Sequence, residues 1–300
     1  LNQKVRAKNP QLLIAEDRCG SLKKQEIMNK PINILTTIIL MLLSLLQNAG
    51  AQDINSVLEK NNIIPQMISY HPNGEWFISS KANNESKFHL VKIKDYHSIK
   101  PKIDTLDFGY YQNVSKLSND GDEFLYGFLD TLQQKPERKT YLREYKNEKF
   151  GKPIDFRKVT GLNALTYFML EDNGDVYFYT YDLNPKGIYK ITKLKKSYSQ
   201  PELLIANRPN YVPFSPLLID KKTMIMAQHG QEDKSINGIY VSRYNDGIWE
   251  IPKKLEGLPY GWSLGFGEEN SIIYLVAKTR KVKKINMETL KDKIESSLER

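Results

Sequence analysis

At 300 residues the chain has room for one large domain or two ordinary ones, and length alone does not choose between them. Aromatic residues make up 11%, with 18 tyrosines, an excess that suits pleated, half-buried strands. The net charge of +9 shrinks once the first 51 residues are set aside: 37 basic and 32 acidic residues remain, a net +5, too mild an excess to point to nucleic acid.

Residues 28–51 read as a secretory signal peptide. Lys30 supplies the positive end, residues 32–46 the apolar run, and Ala49-Gly50-Ala51 the small-residue cleavage site before Gln52. The alternatives are a membrane anchor or a buried helix, but the unbroken apolar part is shorter than the roughly 20 residues that a spanning helix needs. Met28 is then the expected start, and residues 1–27 are read as unstructured upstream sequence. The only cysteine, Cys19, falls there, so the expected mature chain has neither thiol nor disulfide. No Cys follows the cleavage site, and no lipoprotein anchor is expected. A periplasmic or secreted monomer, without a membrane span after signal cleavage and without a nucleic-acid partner, is the resulting expectation.

Residues 52–66 read as a helical lead-in, with Asp53 as a cap and apolar residues at helical spacing up to Ile64 before Pro65. From Met67 the pattern changes to short apolar runs separated by turns. Asn73-Gly74 stands between two such runs, a hairpin signal that predicts a type I′ turn. The arrangement returns around Asp120-Gly121 and Asn173-Gly174, and in degraded form around Asp220-Lys221 and Glu269-Asn270. Counted from Gly74, the turns are 47, 53, 47 and 49 residues apart. A period near fifty with several strands per unit means a propeller, in which no single unit can bury its own faces.

A second marker has the same period. Gly187-Ile188-Tyr189 and Gly238-Ile239-Tyr240 are identical and 51 residues apart, and Tyr141 lies 48 before Tyr189. An aromatic-x-x-Pro follows each, ending at Pro153, Pro201 and Pro252, and Pro101 continues the series without the aromatic. Proline cannot donate to a strand ladder, so it marks an outer edge strand. The expected fold is therefore an all-β propeller of about five four-stranded blades over residues 67–300. A sixth blade built from leftover segments is the alternative. The fifth unit looks incomplete, with a third strand over residues 280–285 and a C-terminal helix from Glu288.

Taken together, these repeats resemble the WD-like, TolB-type propeller repeats of exported bacterial proteins. Ile239-Tyr240-Val241-Ser242 followed by Gly247-Ile248-Trp249 and Pro252-Lys253-Lys254-Leu255 carries the resemblance most closely. The turns His71-Pro72-Asn73-Gly74 and Ser118-Asn119-Asp120-Gly121 match more loosely. The resemblance covers about residues 67–285. It implies the fold and leaves the function open, because scaffolds, binding proteins and peptidase domains share such repeats.

Candidate sites are few. The histidines form no His-x-His or His-Glu-x-x-His pair. His89 sits in the slot that Tyr141, Tyr189 and Tyr240 fill in later repeats, whereas His229 ends a central strand at a loop without equivalent elsewhere. The acidic turns at residues 120–123 and 172–175 lack the calcium-loop pattern and read as plain turns. No nucleophile elbow or phosphate loop is present. Neither a metal nor a cofactor is expected. The connections into each inner strand carry Tyr110, Tyr111, Tyr211, Tyr260 and Trp262, with Asn163 and Arg208 nearby. With His229 they are candidates for an aromatic mouth over the central channel, and the alternative is blade-to-blade packing. Residues 280–284 read as a solvated basic edge, with an anionic surface or glycan as the alternative. The expected function is a non-catalytic binding module for a protein or glycan partner of the cell envelope. A propeller enzyme, a lactonase-type hydrolase or polysaccharide lyase with a metal over the channel, is the alternative.

Overall fold

The computed structural model describes residues 52–81, 88–108, 111–130, 137–163 and 165–299; of residues 111–113, 128–130 and 137 it describes the backbone. The expectations for residues 1–27 and 28–51, and for Tyr110, lie outside the described residues. Five antiparallel sheets follow one another along the chain, and each is contiguous in sequence. Blade 1 holds β1 (Ile64–Tyr70), β2 (Trp76–Lys81), β3 (Phe88–Lys94) and β4 (Lys102–Leu106). Blade 2 holds β5 (Tyr111–Leu117), β6 (Glu123–Asp130), β7 (Glu137–Lys146) and an outer strand split into β8 (Lys149–Phe150) and β9 (Ile154–Asp155). Blade 3 holds β10 (Thr166–Leu170), β11 (Val176–Thr180), β12 (Gly187–Ile191) and β13 (Glu202–Ala206). Blade 4 holds β14 (Tyr211–Asp220), β15 (Thr223–Gly230), β16 (Gly238–Asn245) and a second split outer strand, β17 (Ile248–Trp249) and β18 (Lys253–Lys254). Blade 5 holds three strands, β19 (Gly261–Gly267), β20 (Ser271–Val276) and β21 (Val282–Asn286). Three α-helices and a 3-10 turn (Lys234–Ile236) complete the described chain: α1 (Ile54–Lys60), α2 (Phe156–Thr160) between blades 2 and 3, and α3 (Met287–Leu298).

The markers read from the sequence do the jobs expected of them, with two corrections. Pro101, Pro153, Pro201 and Pro252 each stand directly before an outer strand, where a missing N–H costs no ladder bond. Asp53 caps α1, its carboxylate accepting from the Ser56 N–H at 2.9 Å. The first correction concerns the hairpins. At residues 71–75, 118–123 and 171–175 the turn glycine alone takes a positive φ (94°, 83° and 83°), and its N–H closes a turn onto the residue three before it. These are longer turns ending in a left-handed glycine, not two-residue type I′ turns. Two successive positive φ values occur instead at Glu269-Asn270, Asn147-Glu148 and Asp246-Gly247. The second correction is His89, which pairs with Ser80. The slot of Tyr189, opposite Phe178, is filled in blade 1 by Val91 opposite Ile78.

Side chains between neighbouring blades form the core. Phe77 of blade 1 meets Tyr145 and Phe150 of blade 2 edge-on, at 5.1 and 5.9 Å between ring centroids. Phe77 and Phe124 are fully buried, and such burial contributes about 1.5–3 kcal/mol per ring. Closer to the axis, side chains of inner strands bond to the backbone of the next blade. Ser69 accepts from Leu117 N–H, Ser215 from Leu264 N–H, and Ser263 from Ile68 N–H at 2.8 Å.

The last of these bonds joins blade 5 to blade 1 and closes the ring. Closure is completed at the outer edge by α1. Asn55 Oδ1 accepts from the N–H of Val282 at 2.7 Å, and its Nδ2 donates to the carbonyl of the same residue at 3.0 Å. One amide side chain thus takes the two bonds that a fourth strand would have made with β21. Glu59 and Lys281 add an ion pair at 2.7 Å. Among the described residues, no helix is long and apolar enough to cross a membrane.

Candidate functional site

In an antiparallel blade, the connections into inner strands share one face of the disc with the loops between second and third strands. The hairpins between first and second strands share the other face with the turns between third and fourth. The aromatic mouth expected from the sequence belongs to the first face. Arg208 and Tyr211 bond to each other through their backbones around Asn210, and the Arg208 guanidinium lies 4.6 Å from the Tyr211 ring centroid. Asn210 Oδ1 accepts from the N–H groups of Glu232 and Asp233, so this turn holds the 229–237 loop. His229 Nδ1 lies 3.3 Å from the Tyr260 hydroxyl and its Nε2 3.2 Å from Lys234 Nζ. An ammonium can only donate, so Nε2 accepts and Nδ1 carries the ring proton toward Tyr260. Burial and the Lys234 charge hold the His229 pKa below its ordinary value, and burial pushes that of Tyr260 up to about 12. The imidazole is therefore neutral near pH 7 and serves as a hydrogen-bonding group.

Trp262 stands apart from this group, at the seam with blade 1. Its indole donates to the Gln66 carbonyl at 2.7 Å, and Arg280 stacks 4.5 Å from its ring centroid while bonding Gln66 Oε1. The structure thus places two separate pairs beside the 229–237 loop, Arg208 with Tyr211 and His229 with Tyr260, and turns Trp262 toward ring closure. Tyr111 opens β5, and Asn163 is exposed in the connection from α2 to β10. Arg280 is the contact that sequence reading missed, because a run of alternating basic residues looks solvated. Lys281 and Lys284 of that run are also paired, with Glu59 and with Glu268 and Glu269.

The described part of the axis is narrow. Ser69, Lys116, Met169, Leu217 and Leu264, one from each inner strand, surround a space of only about 20 Å³. Lys116 is buried there, donating to the carbonyls of Ile68 at 2.8 Å and Ser263 at 3.2 Å. Gly265 makes room for it, since a Cβ at that position would lie 2.8 Å from Nζ. Among the described residues no carboxylate pairs with it, and burial drives its pKa down to about 7. Among the described residues, no three His, Cys, Asp or Glu side chains are placed to hold a metal ion. The acidic turns are used internally: Asp120 accepts from Asp122 N–H, and Asp175 pairs with Lys190 at 2.8 Å.

The opposite face carries a cleft of about 630 Å³ at the boundary of blades 5 and 1, with Glu148 of blade 2 at its rim. Tyr70, Tyr96 and His97 supply rings, and Glu75, Asp95, Glu148 and Glu268 supply carboxylates. Tyr96 donates its hydroxyl to Glu268 and His97 stacks on it at 3.8 Å. Burial works against the Glu75 carboxylate, but Lys94 at 2.8 Å and the Tyr145 hydroxyl at 2.6 Å outweigh it and hold its pKa below the ordinary value. A shallower hollow of about 390 Å³ continues past Asn73 and Glu148 to His71 and Tyr145.

No protein-family model matches the chain, and no curated protein matches its sequence. Solved structures do match. A protein of unknown function from Dyadobacter fermentans is 12% identical, with a TM-score of 0.47 over 76% of this chain and 80% of that one. A gluconolactonase from Xanthomonas campestris is 10% identical, with a TM-score of 0.46 over 76% and 74%. TolB from Acinetobacter baumannii is 12% identical, with a TM-score of 0.46 over 74% of this chain and 52% of TolB. Such likenesses concern the fold alone. The five successive antiparallel sheets show by themselves that this chain is a five-bladed propeller.

Proposed function

We propose that the protein is an exported, monomeric binding module of the periplasm or cell exterior, which holds a glycan or peptide of a cell-envelope partner on its loop face. The observation that carries this reading is the pair of half-buried contacts beside one pinned loop, Arg208 on Tyr211 and His229 with Tyr260, which fix rings and hydrogen-bond donors at the loop face. Aromatic faces with donors beside them suit sugars and peptide side chains alike.

Arg208→Ala and Tyr211→Ala remove the stacked pair at the surface without opening the core. In glycan-array and pull-down assays each is expected to weaken binding about tenfold or more, which is 1.4 kcal/mol, with the melting temperature near that of the unaltered protein. Binding that survives while stability alone falls would return these residues to blade packing. Metal analysis of the purified protein checks the other class of function. A stoichiometric divalent ion would replace the binding module with a propeller enzyme, either a lactonase-type hydrolase or a polysaccharide lyase.

A further inference from the structure

The two faces of the disc differ in how their charges are matched. On the hairpin face carboxylates and lysines answer one another, as Glu75 does Lys94, Asp175 Lys190 and Glu268 Lys284. On the loop face Arg280 is half-buried, and no carboxylate among the described residues pairs with it. A charge taken partly out of water is normally paired. This guanidinium is fixed by neutral groups instead: it stacks 4.5 Å from the Trp262 ring centroid, and its Nη1 donates to Gln66 Oε1 at 2.9 Å. That bond uses one of five N–H donors. The Nε and Nη2 edge has no acceptor among the described residues, and neither nitrogen is sealed from solvent. Two parallel N–H groups on one edge are the fork that a carboxylate meets with both oxygens.

Two further blades contribute to the same place. Tyr167, in the inner strand of blade 3, takes a left-handed φ of 47° where the register of β10 shifts, a strained backbone for a bulky residue. Bulges re-aim side chains, and this ring is held edge-on to Phe214 at 4.7 Å. Burial pushes the Tyr167 pKa up and Tyr181 adds to that, whereas Arg138 and Arg280 pull it down. The hydroxyl thus stands in the field of two guanidiniums, from blades 2 and 5, which no carboxylate among the described residues opposes. Arg138 is exposed near the start of β7, on the loop face. The nearest acids of that face belong to the 229–237 loop, where Asp233 is turned onto the Ser235 N–H. On the loop-face reading proposed above, we infer that the group recognised there is the carboxylate of a small organic ligand, gripped by the free edge of Arg280, with Arg138 as the second cation and the rings of Tyr167 and Trp262 beside the body that carries it.

D-glucuronate and N-acetylalanine serve as probes in calorimetric titration, each beside its uncharged counterpart, methyl glucoside and N-acetylalaninamide, with sodium sulfate as a bare anion. At least one acid is expected to bind saturably and its counterpart about tenfold more weakly or worse; the tighter acid tells whether a sugar or a chain end carries the group. Arg280→Gln is expected to weaken that binding about tenfold, and Arg280→Lys to restore only part of it, because lysine keeps the charge and loses the fork. Arg138→Gln, at an exposed side chain, is expected to weaken it severalfold and reports on the same place if the Arg280 variants melt early. No saturable binding of either acid overturns the inference. So does equal binding of the uncharged counterpart or of sulfate, or binding that neither Arg280→Gln nor Arg138→Gln changes. Methyl glucoside bound as tightly as glucuronate, and lost in Arg208→Ala, would sink the carboxylate while keeping the loop-face module. Acid binding lost in Arg280→Gln yet kept in Arg208→Ala would keep the carboxylate and return the stacked pair to blade packing.

Discussion

Lys116 is the residue most at odds with its surroundings. In the unfolded chain its amine titrates near 10.5, while burial on the propeller axis lowers that to about 7. Between those values the unfolded state holds a proton that the folded state lacks, so stability rises with pH across the window. The limiting slope for one proton is about 1.4 kcal/mol per pH unit. Buried tyrosines such as Tyr177 and Tyr260, raised to about 12, act in the opposite sense once unfolded tyrosine ionises near pH 10. The rise is therefore to be measured between pH 7 and about 9.5, below that onset. Lys116→Met is expected to flatten the dependence of the urea midpoint over this range. An unchanged slope in the variant would mean that another group sets it. Nothing in Val114-Ser115-Lys116-Leu117 announces this role, because alternation along a strand does not reveal which polar side chain faces the axis.

At the scale of single elements, the first Gly-Ile-Tyr marker acquires a cause at its glycine. A Cβ on Gly187 would stand 2.2 Å from the Ile205 carbonyl oxygen and 3.0 Å from Ala206 Cα, so β12 and β13 run together only with glycine there. Gly187→Ala is expected to cost about 1–3 kcal/mol through overpacking. Gly151, whose added Cβ would make ordinary contacts from 3.5 Å outward, is the control, with an expected change within about 0.5 kcal/mol. Equal losses at the two positions, measured by chemical denaturation, would refute the close-approach argument. Strand order, edge prolines, the turn glycines and both terminal helices were legible because each depends on residues near in sequence. The cleft was not, since Glu75, Tyr96, Glu148 and Glu268 come from turns of three blades and no local pattern links them. The loop cluster was legible in part. Tyr211 and His229 were recognisable as residues at strand ends, but the stacking of Arg280 on Trp262 joins a connection to a distant turn.

For the molecule as a whole, stability depends on how the ring is shut. Many rings share a sheet between the two ends of the chain; here every sheet is contiguous, and the outer edge of the last blade is finished by one side chain on the first helix. Asn55→Ala leaves the N–H and carbonyl of the buried Val282 without those partners, at an expected cost of about 1–3 kcal/mol. Hydrogen exchange should quicken first in β20 and β21, whereas an even loss of protection over all five blades would show that closure is not local. Asn55 and Val282 lie 227 positions apart. A growing chain can therefore stack its blades in order as they emerge but cannot seal them, and α1 waits for β21. A product that stops before β21 would expose an apolar seam beside blade 1 to proteases, so that loss of this one strand is what the fold makes visible.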